Sequence, residues 1–163
     1  MVSIYVNYIS QPSRAVLVFC RMVNISFNAI QVDLRNRNHL KTDFMDVNPF
    51  GMVPVLVEEG NQDLQDRTII ESGSILRYLA DTRKVDEHGF PRSNYLKRAK
   101  VDSMLDWAGT QVRPPLTSYL QQTAYRKFLG IRPASEERIS LITRDFNKTM
   151  KQLEAILEEN QYI

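Results

Sequence analysis

Residues 8–16 read Tyr8-Ile9-Ser10-Gln11-Pro12-Ser13-Arg14-Ala15-Val16 and join a predicted strand to a predicted helix. Residues 2–8 are mostly β-branched and aromatic, which is typical of a strand, and the apolar residues of 15–22 predict a mostly buried helix. Pro12 suits the first helical turn because it has no N–H to lose. Ser10 is therefore predicted beside the N–H groups of a helix start, where an anion can be held. A serine before a helix more often only caps it, and this stretch alone leaves both roles open.

Composition places the chain in a broad class. It has 163 residues, enough for one large domain or two small ones, and its 43% hydrophobic and 25% charged residues are typical of globular proteins. The net charge of +2 is too small to indicate nucleic-acid binding. No apolar run reaches the roughly 20 residues that cross a bilayer, and no secretory signal is recognisable. The single cysteine, Cys20, favours a reducing compartment, so a cytoplasmic protein is expected.

Strand and helix patterns alternate in the first half of the chain. Strands are predicted over residues 2–8, 26–34, 53–58 and 68–70, a short helix over 39–47, and a further helix capped by Ser72. The polar residues between the third and fourth strands predict a protruding loop. Residues 84–91 are polar with Gly and Pro, which is typical of an interdomain linker.

Only helical patterns follow. One long helix is predicted over residues 96–112, disturbed near Pro114 and Pro115, and a second is predicted from Ser135 with acidic residues in its first turn. The order is β-α-β-α-β-β-α and then helices. Such an order predicts an α/β domain over residues 1–83, a linker over 84–91 and an all-helical domain over 92–163.

Several motifs in this order resemble the cytosolic glutathione S-transferases, particularly the theta class. The motifs are Ser10–Ala15, Asn48–Pro54, Glu71–Ser72 before Ile75–Leu79, and Lys97–Asp102 followed by Trp107. The resemblance runs from the first strand to the last residue. It implies a thioredoxin-like N-terminal domain and an all-α C-terminal domain. Because family members usually continue into more helices, that second domain is expected to be incomplete.

The resemblance implies that the Ser10 hydroxyl donates a hydrogen bond to the sulfur of glutathione. The thiolate is the reactive species, and lowering a thiol pKa of about 8.5 by two units needs roughly 2.7 kcal/mol. One charge-assisted hydrogen bond supplies about 1.5 to 3 kcal/mol. Tyr5 and Tyr8 are rival hydroxyls, since other classes use a tyrosine earlier in this strand, but the Ser10–Ala15 motif favours Ser10. No histidine follows in the pattern of a Ser-His-Asp triad.

The resemblance also implies the remaining walls of a glutathione site. The expected glutathione-binding residues, besides Ser10, are Gln11, His39, Met52, Val53, Pro54, Glu71 and Ser72. Pro54 is expected to be cis, with the main chain of Val53 pairing with the cysteinyl part of the peptide like an added strand. Ser72 and the helix start would bind the γ-glutamyl carboxylate, and Glu71 its ammonium.

The glycyl end of the peptide is where this sequence departs from the family. His39 matches a theta-class histidine that reaches this end, although a lone histidine is more often a surface residue. Met52 stands where theta proteins often have a lysine, and the missing cation predicts an affinity weaker by about 1 kcal/mol. Arg113 matches an arginine of the electrophile pocket, or else is a solvated residue before the prolines. Arg14 is expected at the surface or facing the linker, and Cys20 is expected to be buried rather than reactive.

The function implied is a cytoplasmic detoxification transferase that joins the glutathione thiolate to small electrophiles. Glutathione would be a cosubstrate, with no metal and no other cofactor, and a homodimer is the family expectation. No nucleic acid and no membrane is expected as a partner. The alternative is a non-catalytic binding or assembly module, which the short C-terminus and Met52 suggest. A thiol-exchange enzyme is a weaker third reading because there is no Cys-x-x-Cys. The residues do not identify the electrophile.

Overall fold

The computed structural model describes residues 1–60, 62–86, 89–128, 130–132 and 134–159. The chain divides into two compact units, Met1–Tyr95 and Leu96–Ile163. No helix in the described part of the chain is long and apolar enough to cross a bilayer.

The described residues of the first unit form four strands, three helices and two 3₁₀ turns. They are β1 (Val2–Val6), α1 (Gln11–Met22), β2 (Phe27–Gln31), the turn Asn38–Leu40, α2 (Thr42–Met45), β3 (Val55–Glu58), the turn Gln65–Arg67, β4 (Thr68–Ile70) and α3 (Ser72–Thr82). The predicted order is confirmed. The first three strands are shorter than predicted, and the helix predicted over 39–47 is replaced by a 3₁₀ turn and the short α2.

The sheet has the order β2-β1-β3-β4, with β1 parallel to β2 and antiparallel to β3. Side chains alternate between its faces along β1, where Val2, Ile4 and Val6 are buried. These three pack with α1 and α3 in one core, whereas a second core includes Phe44 of α2 and the central β3. Tyr5 faces that second core, with its ring centroid 5.9 Å from that of Phe44. Burial of both sheet faces confirms the predicted thioredoxin-like arrangement.

The described part of the predicted linker lies within the first unit. Val85 and Phe90 are buried, and Arg92 Nη1 donates hydrogen bonds to the carbonyl oxygens of Ala80 and Val85 at 3.1 and 2.7 Å. The Ala80 carbonyl also accepts a hydrogen bond from the Val85 N–H at 3.1 Å, so Arg92 adds a second donor at the end of α3. Residues 87 and 88 lie outside the described part of the chain. The domain limits 1–83, 84–91 and 92–163 stay a prediction.

The second unit is helical. Its described elements are α4 (Tyr95–Trp107), the π-helical segment Ala108–Val112, α5 (Arg113–Leu120), the π-helical segment Gln121–Tyr125, α6 (Arg126–Phe128) and α7 (Glu136–Glu159). The disturbance predicted near Pro114 and Pro115 is the π-helical segment directly before them. The helix then continues, because both prolines lie in the first turn of α5, where a missing N–H costs least.

Helices α5 and α7 of the second unit pack on each other. The rings of Tyr119 and Phe146 stack with centroids 4.5 Å apart, and Ile142 is buried. The predicted start of α7 is confirmed, since the Ser135 Oγ accepts a hydrogen bond from the Arg138 N–H at 3.3 Å. Met150 and Leu157, which belong to the apolar stripe of α7, are exposed.

Candidate functional site

Three of the predicted site segments leave the sheet at the same end. Tyr5 of β1 pairs with Val55 of β3, and Val55 pairs with Ile70 of β4. Because β3 is antiparallel to both neighbours, its beginning lies beside the ends of β1 and β4. The turn carrying Ser10, the Val53–Pro54 pair and the Glu71–Ser72 pair are therefore brought together. Residues more than 60 positions apart in the sequence thus form one candidate site.

Ser10 is the N-cap of α1, so the common role predicted for it is present. Its Oγ accepts a hydrogen bond from the Ser13 N–H at 3.4 Å, and its carbonyl accepts one from the Arg14 N–H at 3.1 Å. A hydroxyl has two acceptor positions and one donor hydrogen. The cap uses an acceptor position only, so capping leaves the Ser10 hydrogen available for an anion. The two roles that the sequence left open are compatible.

Asn7 organises the turn before Ser10, and sequence reasoning did not single it out. It is buried, and its Nδ2 donates to the Val32 carbonyl at 2.8 Å while its Oδ1 accepts from the Ile9 N–H at 2.9 Å. Its own carbonyl accepts from the Ser10 N–H at 2.9 Å. An asparagine at a strand exit is a known signal for a side-chain-closed turn and could have indicated this role.

Asn48 organises the loop before Val53 in the same way. Its side chain is fully buried, with Nδ2 donating to the Met52 carbonyl at 2.8 Å and Oδ1 accepting from the Phe50 N–H at 3.1 Å. The peptide bond between Val53 and Pro54 is cis, as the resemblance implies. Within the described residues, the main chain of Val53 forms no hydrogen bond. Its N–H and C=O are thus available to an extended peptide alongside β3.

At Gly51 this loop comes close to the turn Asn38–Leu40. Its φ is +61°, and a Cβ at this position would lie 3.1 Å from both the His39 carbonyl oxygen and Leu40 Cδ2. This approach brings the His39 and Met52 segments together, as a common role at one end of a ligand requires. The side chain of Met52 is exposed, whereas His39 Nδ1 is buried and without a hydrogen-bond partner among the described residues. Buried unpaired nitrogens are uncommon in folded proteins.

Gly51→Ala is expected to lower the free energy of unfolding by about 2 to 4 kcal/mol. The left-handed backbone contributes about 1 to 2 kcal/mol, and crowding against the His39 carbonyl adds the rest. Gly130→Ala is a matched control, because Gly130 has a φ of +65° with nothing within 4 Å of an added Cβ. Urea denaturation measures both variants. Equal losses of unfolding free energy in the two variants would show that the Gly51 loop accommodates a Cβ without crowding the Asn38–Leu40 turn.

Glu71 and Ser72 differ from their prediction in one respect. Ser72 is not the N-cap of α3 but its buried first residue, and Glu71 occupies the N-cap position without a side-chain cap hydrogen bond. The reason is the backbone of Glu71, whose φ of 65° and ψ of 121° turn the chain into the helix one residue earlier. Such conformations cost about 1 to 3 kcal/mol and are concentrated at ligand sites. The Glu71 carboxylate is exposed at the start of the helix.

The remaining predicted groups are placed as follows. Arg113 begins α5 in the second unit and is half-buried. The rival hydroxyls belong to Tyr8, which is exposed, and to Tyr5, which packs on Phe44. Cys20 is buried, and this burial raises the pKa of its thiol to about 11, so the thiol is protonated at neutral pH. The prediction of a buried rather than reactive cysteine is confirmed.

A metal centre and a surface cavity are two other kinds of site that the structure could offer. In the described ranges, no group of three or more His, Cys, Asp or Glu side chains is placed to hold a metal ion. The second unit has an open cavity of about 770 Å³ near the start of α7, lined by Gln122, Arg126, Arg132, Ala134, Ser135, Glu136 and Arg138. None of the predicted site residues lines this cavity, so the candidate site stays at the end of the sheet.

Known proteins share this arrangement. The family model described as "Glutathione S-transferase, N-terminal domain" matches residues 9–82, which span the predicted glutathione-binding residues. Glutathione S-transferase theta-1 of Rattus norvegicus is 34% identical over 157 residues, covering 94% of this chain and 61% of that protein. Residues 9–82 therefore belong to the N-terminal domain family of the glutathione S-transferases. Glutathione S-transferase T3 of Arabidopsis thaliana is 39% identical over 129 residues, covering 78% of this chain and 21% of the relative.

Solved structures of the theta class agree with this assignment. The apo form of human glutathione S-transferase T1-1 matches with a TM-score of 0.79 and 32% identity, over 93% of this chain and 60% of that one. A human theta-class transferase in complex with the glutathione conjugate of 1-menaphthyl sulfate matches with a TM-score of 0.81 and 27% identity, over 94% and 59%. The chain spans about 60% of the length of the theta-class relatives that it matches over most of its own length.

Proposed function

We propose that this glutathione S-transferase binds glutathione at the end of the sheet and transfers its thiolate to small electrophiles. The observation that carries the proposal is the convergence of Ser10, Val53–Pro54 and Glu71–Ser72 at one end of β1, β3 and β4. A donor hydroxyl, a main-chain edge and a helix start with a carboxylate suit the thiol, the amide and the γ-glutamyl group of one peptide. The conjugate bound to a human theta-class relative supports the same chemistry.

The reaction needs only a stabilised thiolate. The thiol proton leaves to solvent, and the thiolate sulfur attacks an electrophilic carbon and forms an S–C bond. The leaving group departs with the electron pair of its bond, or the epoxide C–O bond opens and its oxygen takes a proton from water. Ser10 donates a hydrogen bond to the sulfur before attack and forms no covalent bond itself. The N–H groups at the start of α1 add a favourable field for the anion. Glutathione is a cosubstrate, and no step requires a metal.

Each part of glutathione has a proposed partner. The main chain of Val53 pairs with the cysteinyl amide, and Gln11 borders it from the first turn of α1. Ser72 and the start of α3 bind the γ-glutamyl carboxylate, and the Glu71 carboxylate receives its ammonium. His39 reaches the glycyl end, a role that its buried, unpaired Nδ1 and its contact with the Gly51 loop support. Met52 adjoins this end without offering a charge.

Met52→Lys is expected to tighten glutathione binding about fivefold. A cation at this exposed position would attract the glycyl carboxylate with roughly 1 kcal/mol in a wet site. Met22→Lys is the matched control, because Met22 is 76% exposed on α1 and the change adds the same charge elsewhere. Isothermal calorimetry at two salt concentrations measures the effect, which should shrink at high salt. An equal gain in both variants would show long-range attraction instead of a carboxylate contact.

The proposal also covers the electrophile and the oligomeric state of the protein. Arg113 is proposed to border the electrophile pocket, and the electrophiles are proposed to be small alkyl halides and epoxides. We propose a cytoplasmic detoxification enzyme that works as a homodimer, which the family resemblance supports. The single Cys20, buried as a thiol, is compatible with a reducing compartment. Sedimentation of the purified chain tests the homodimer.

Conjugation is the direct test. The protein is incubated with glutathione and a panel of alkyl halides and epoxides, and products are identified by mass. Glutathione conjugates formed faster than in protein-free controls would support the proposal. Retention on immobilised glutathione without conjugation of any electrophile would favour a non-catalytic binding module. Absence of glutathione binding would overturn the proposed site.

A further inference from the structure

One arginine holds two consecutive carbonyl groups of the turn that carries Ser10. The Arg14 Nη1 donates hydrogen bonds to the Tyr8 carbonyl at 3.0 Å and to the Ile9 carbonyl at 2.9 Å. Arg14 lies in the first turn of α1, and its side chain returns over the segment that precedes the helix. The expected surface position is thus correct, but the guanidinium is engaged with the turn.

We propose that Arg14 is a positioning residue for the thiolate site, holding the Tyr8 and Ile9 carbonyls so that the Ser10 hydroxyl meets the sulfur of glutathione. The inference rests on the proposed function and adds a residue to which the family resemblance assigned no ligand role. Arg14 acts through Ser10 and is not itself proposed to contact glutathione.

Peptide planarity links Arg14 to Ser10. The Ile9 carbonyl and the Ser10 N–H belong to one rigid peptide plane. Arg14 donates a hydrogen bond to the Ile9 carbonyl oxygen, and the Ser10 N–H donates one to the Asn7 carbonyl at 2.9 Å. Both polar groups of this peptide plane are therefore hydrogen-bonded. The Ser10 Cα, which carries the side chain, is bonded to the nitrogen of this plane. Holding the plane therefore restricts the directions in which the Ser10 Oγ can point.

Electrostatics supports the same role. Carbonyl oxygens carry partial negative charge, and two of them beside an anion site would disfavour a thiolate. The Arg14 guanidinium occupies both with charge-assisted hydrogen bonds. A cation in the first turn of a helix also opposes the helix dipole, and the first turn of α1 has no acidic residue to compensate. Residues that are unfavourable for local structure, like this cation at a helix N-terminus, are often found at functional sites.

The test compares Arg14→Met with Arg21→Met. Arg21 is exposed two turns further along α1, so its replacement removes the same charge from the same helix. Thiolate absorbance of bound glutathione is titrated against pH in each variant. Arg14→Met is expected to raise the pKa of the bound thiol by about one unit, a tenfold smaller thiolate fraction below that pKa, while Arg21→Met leaves it unchanged. Arg14→Lys keeps the positive charge but loses the planar guanidinium that fixes the directions of the two Nη1 hydrogens, and its thiol pKa is expected to lie between those of the wild type and Arg14→Met.

The outcomes separate this inference from the proposed function. If Arg14→Met binds glutathione and the bound thiol titrates as in the wild type, the proposed role of Arg14 is wrong, but the proposed function stands. If Arg14→Met does not fold, Arg14→Lys decides, and an unchanged thiol pKa in it overturns the inference. Failure of the wild-type protein to bind glutathione would instead overturn the proposed function. The other ionisable groups of the site, Tyr8, His39 and Glu71, are the same in all variants.

Discussion

Ser10→Ala is expected to lower kcat for conjugation about ten- to hundredfold at neutral pH, with little change in glutathione affinity. The lost hydrogen bond to the thiolate corresponds to about 1.5 to 3 kcal/mol, so the thiol pKa rises and less thiolate is present. Affinity changes little because Val53, Glu71 and Ser72 are proposed to hold the rest of the peptide. Steady-state kinetics over a pH series measures the effect, and the activity lost should partly return at high pH.

The helix cap must be separated from the chemistry, because Ser10 also accepts a hydrogen bond from the Ser13 N–H. Ser10→Ala removes this cap and is expected to cost about 1 kcal/mol of stability as well. Ser10→Asp keeps an acceptor for the cap but has no hydrogen to donate at neutral pH. It should therefore be stable yet at least as inactive as Ser10→Ala, because its carboxylate also repels the thiolate, whereas Ser10→Thr should keep activity. Undiminished turnover in folded Ser10→Ala would contradict the assigned role.

Leu56→Ala is expected to lower the free energy of unfolding by about 2 to 5 kcal/mol, because the truncation leaves a cavity in a closed core. Leu56 lies in the centre of β3, is 0% exposed and packs in the core that α1 and α3 cover. Such a loss is a large part of the stability of a domain of this size. It would also reduce glutathione binding, since β3 leads directly from Val53 and Pro54.

Leu96→Ala is the matched control for this loss, since Leu96 is 71% exposed. It is expected to change the free energy of unfolding by no more than about 0.5 kcal/mol. Urea denaturation followed by circular dichroism measures both variants. Similar values for the two would contradict a core centred on β3. Recovery of glutathione binding by Leu56→Ala at low temperature would show that its effect on the site acts through folding.

Local patterns were sufficient for the elements that depend on their own residues. The strands β1 and β4 follow from their β-branched and aromatic residues, which favour an extended backbone. The start of α7 follows from a capping serine at Ser135. The cis bond between Val53 and Pro54 was expected from the family resemblance and not from the local pattern.

Features that depend on distant partners were missed. Asn7 looked like an ordinary strand residue, because its partner, the Val32 carbonyl, is 25 positions away. The hydrogen bonds from Arg14 to the Tyr8 and Ile9 carbonyls depend on the shape of the turn, which the residue types alone do not show. Ser72 was assigned the cap of α3 from its residue type, but the backbone of Glu71 shifts the start of the helix. In each case a tertiary contact or backbone conformation outweighed local preference.

The sequence by itself determined which residue types are present for the chemistry: a hydroxyl at Ser10, a main-chain edge at Val53, and a carboxylate and helix start at Glu71 and Ser72. Only the tertiary structure decided that they meet. The pairing of Tyr5 with Val55 and of Val55 with Ile70 places three separate segments at one end of the sheet. The physical reason is that local patterns encode strands and caps, whereas strand order and register depend on which apolar faces can be buried together.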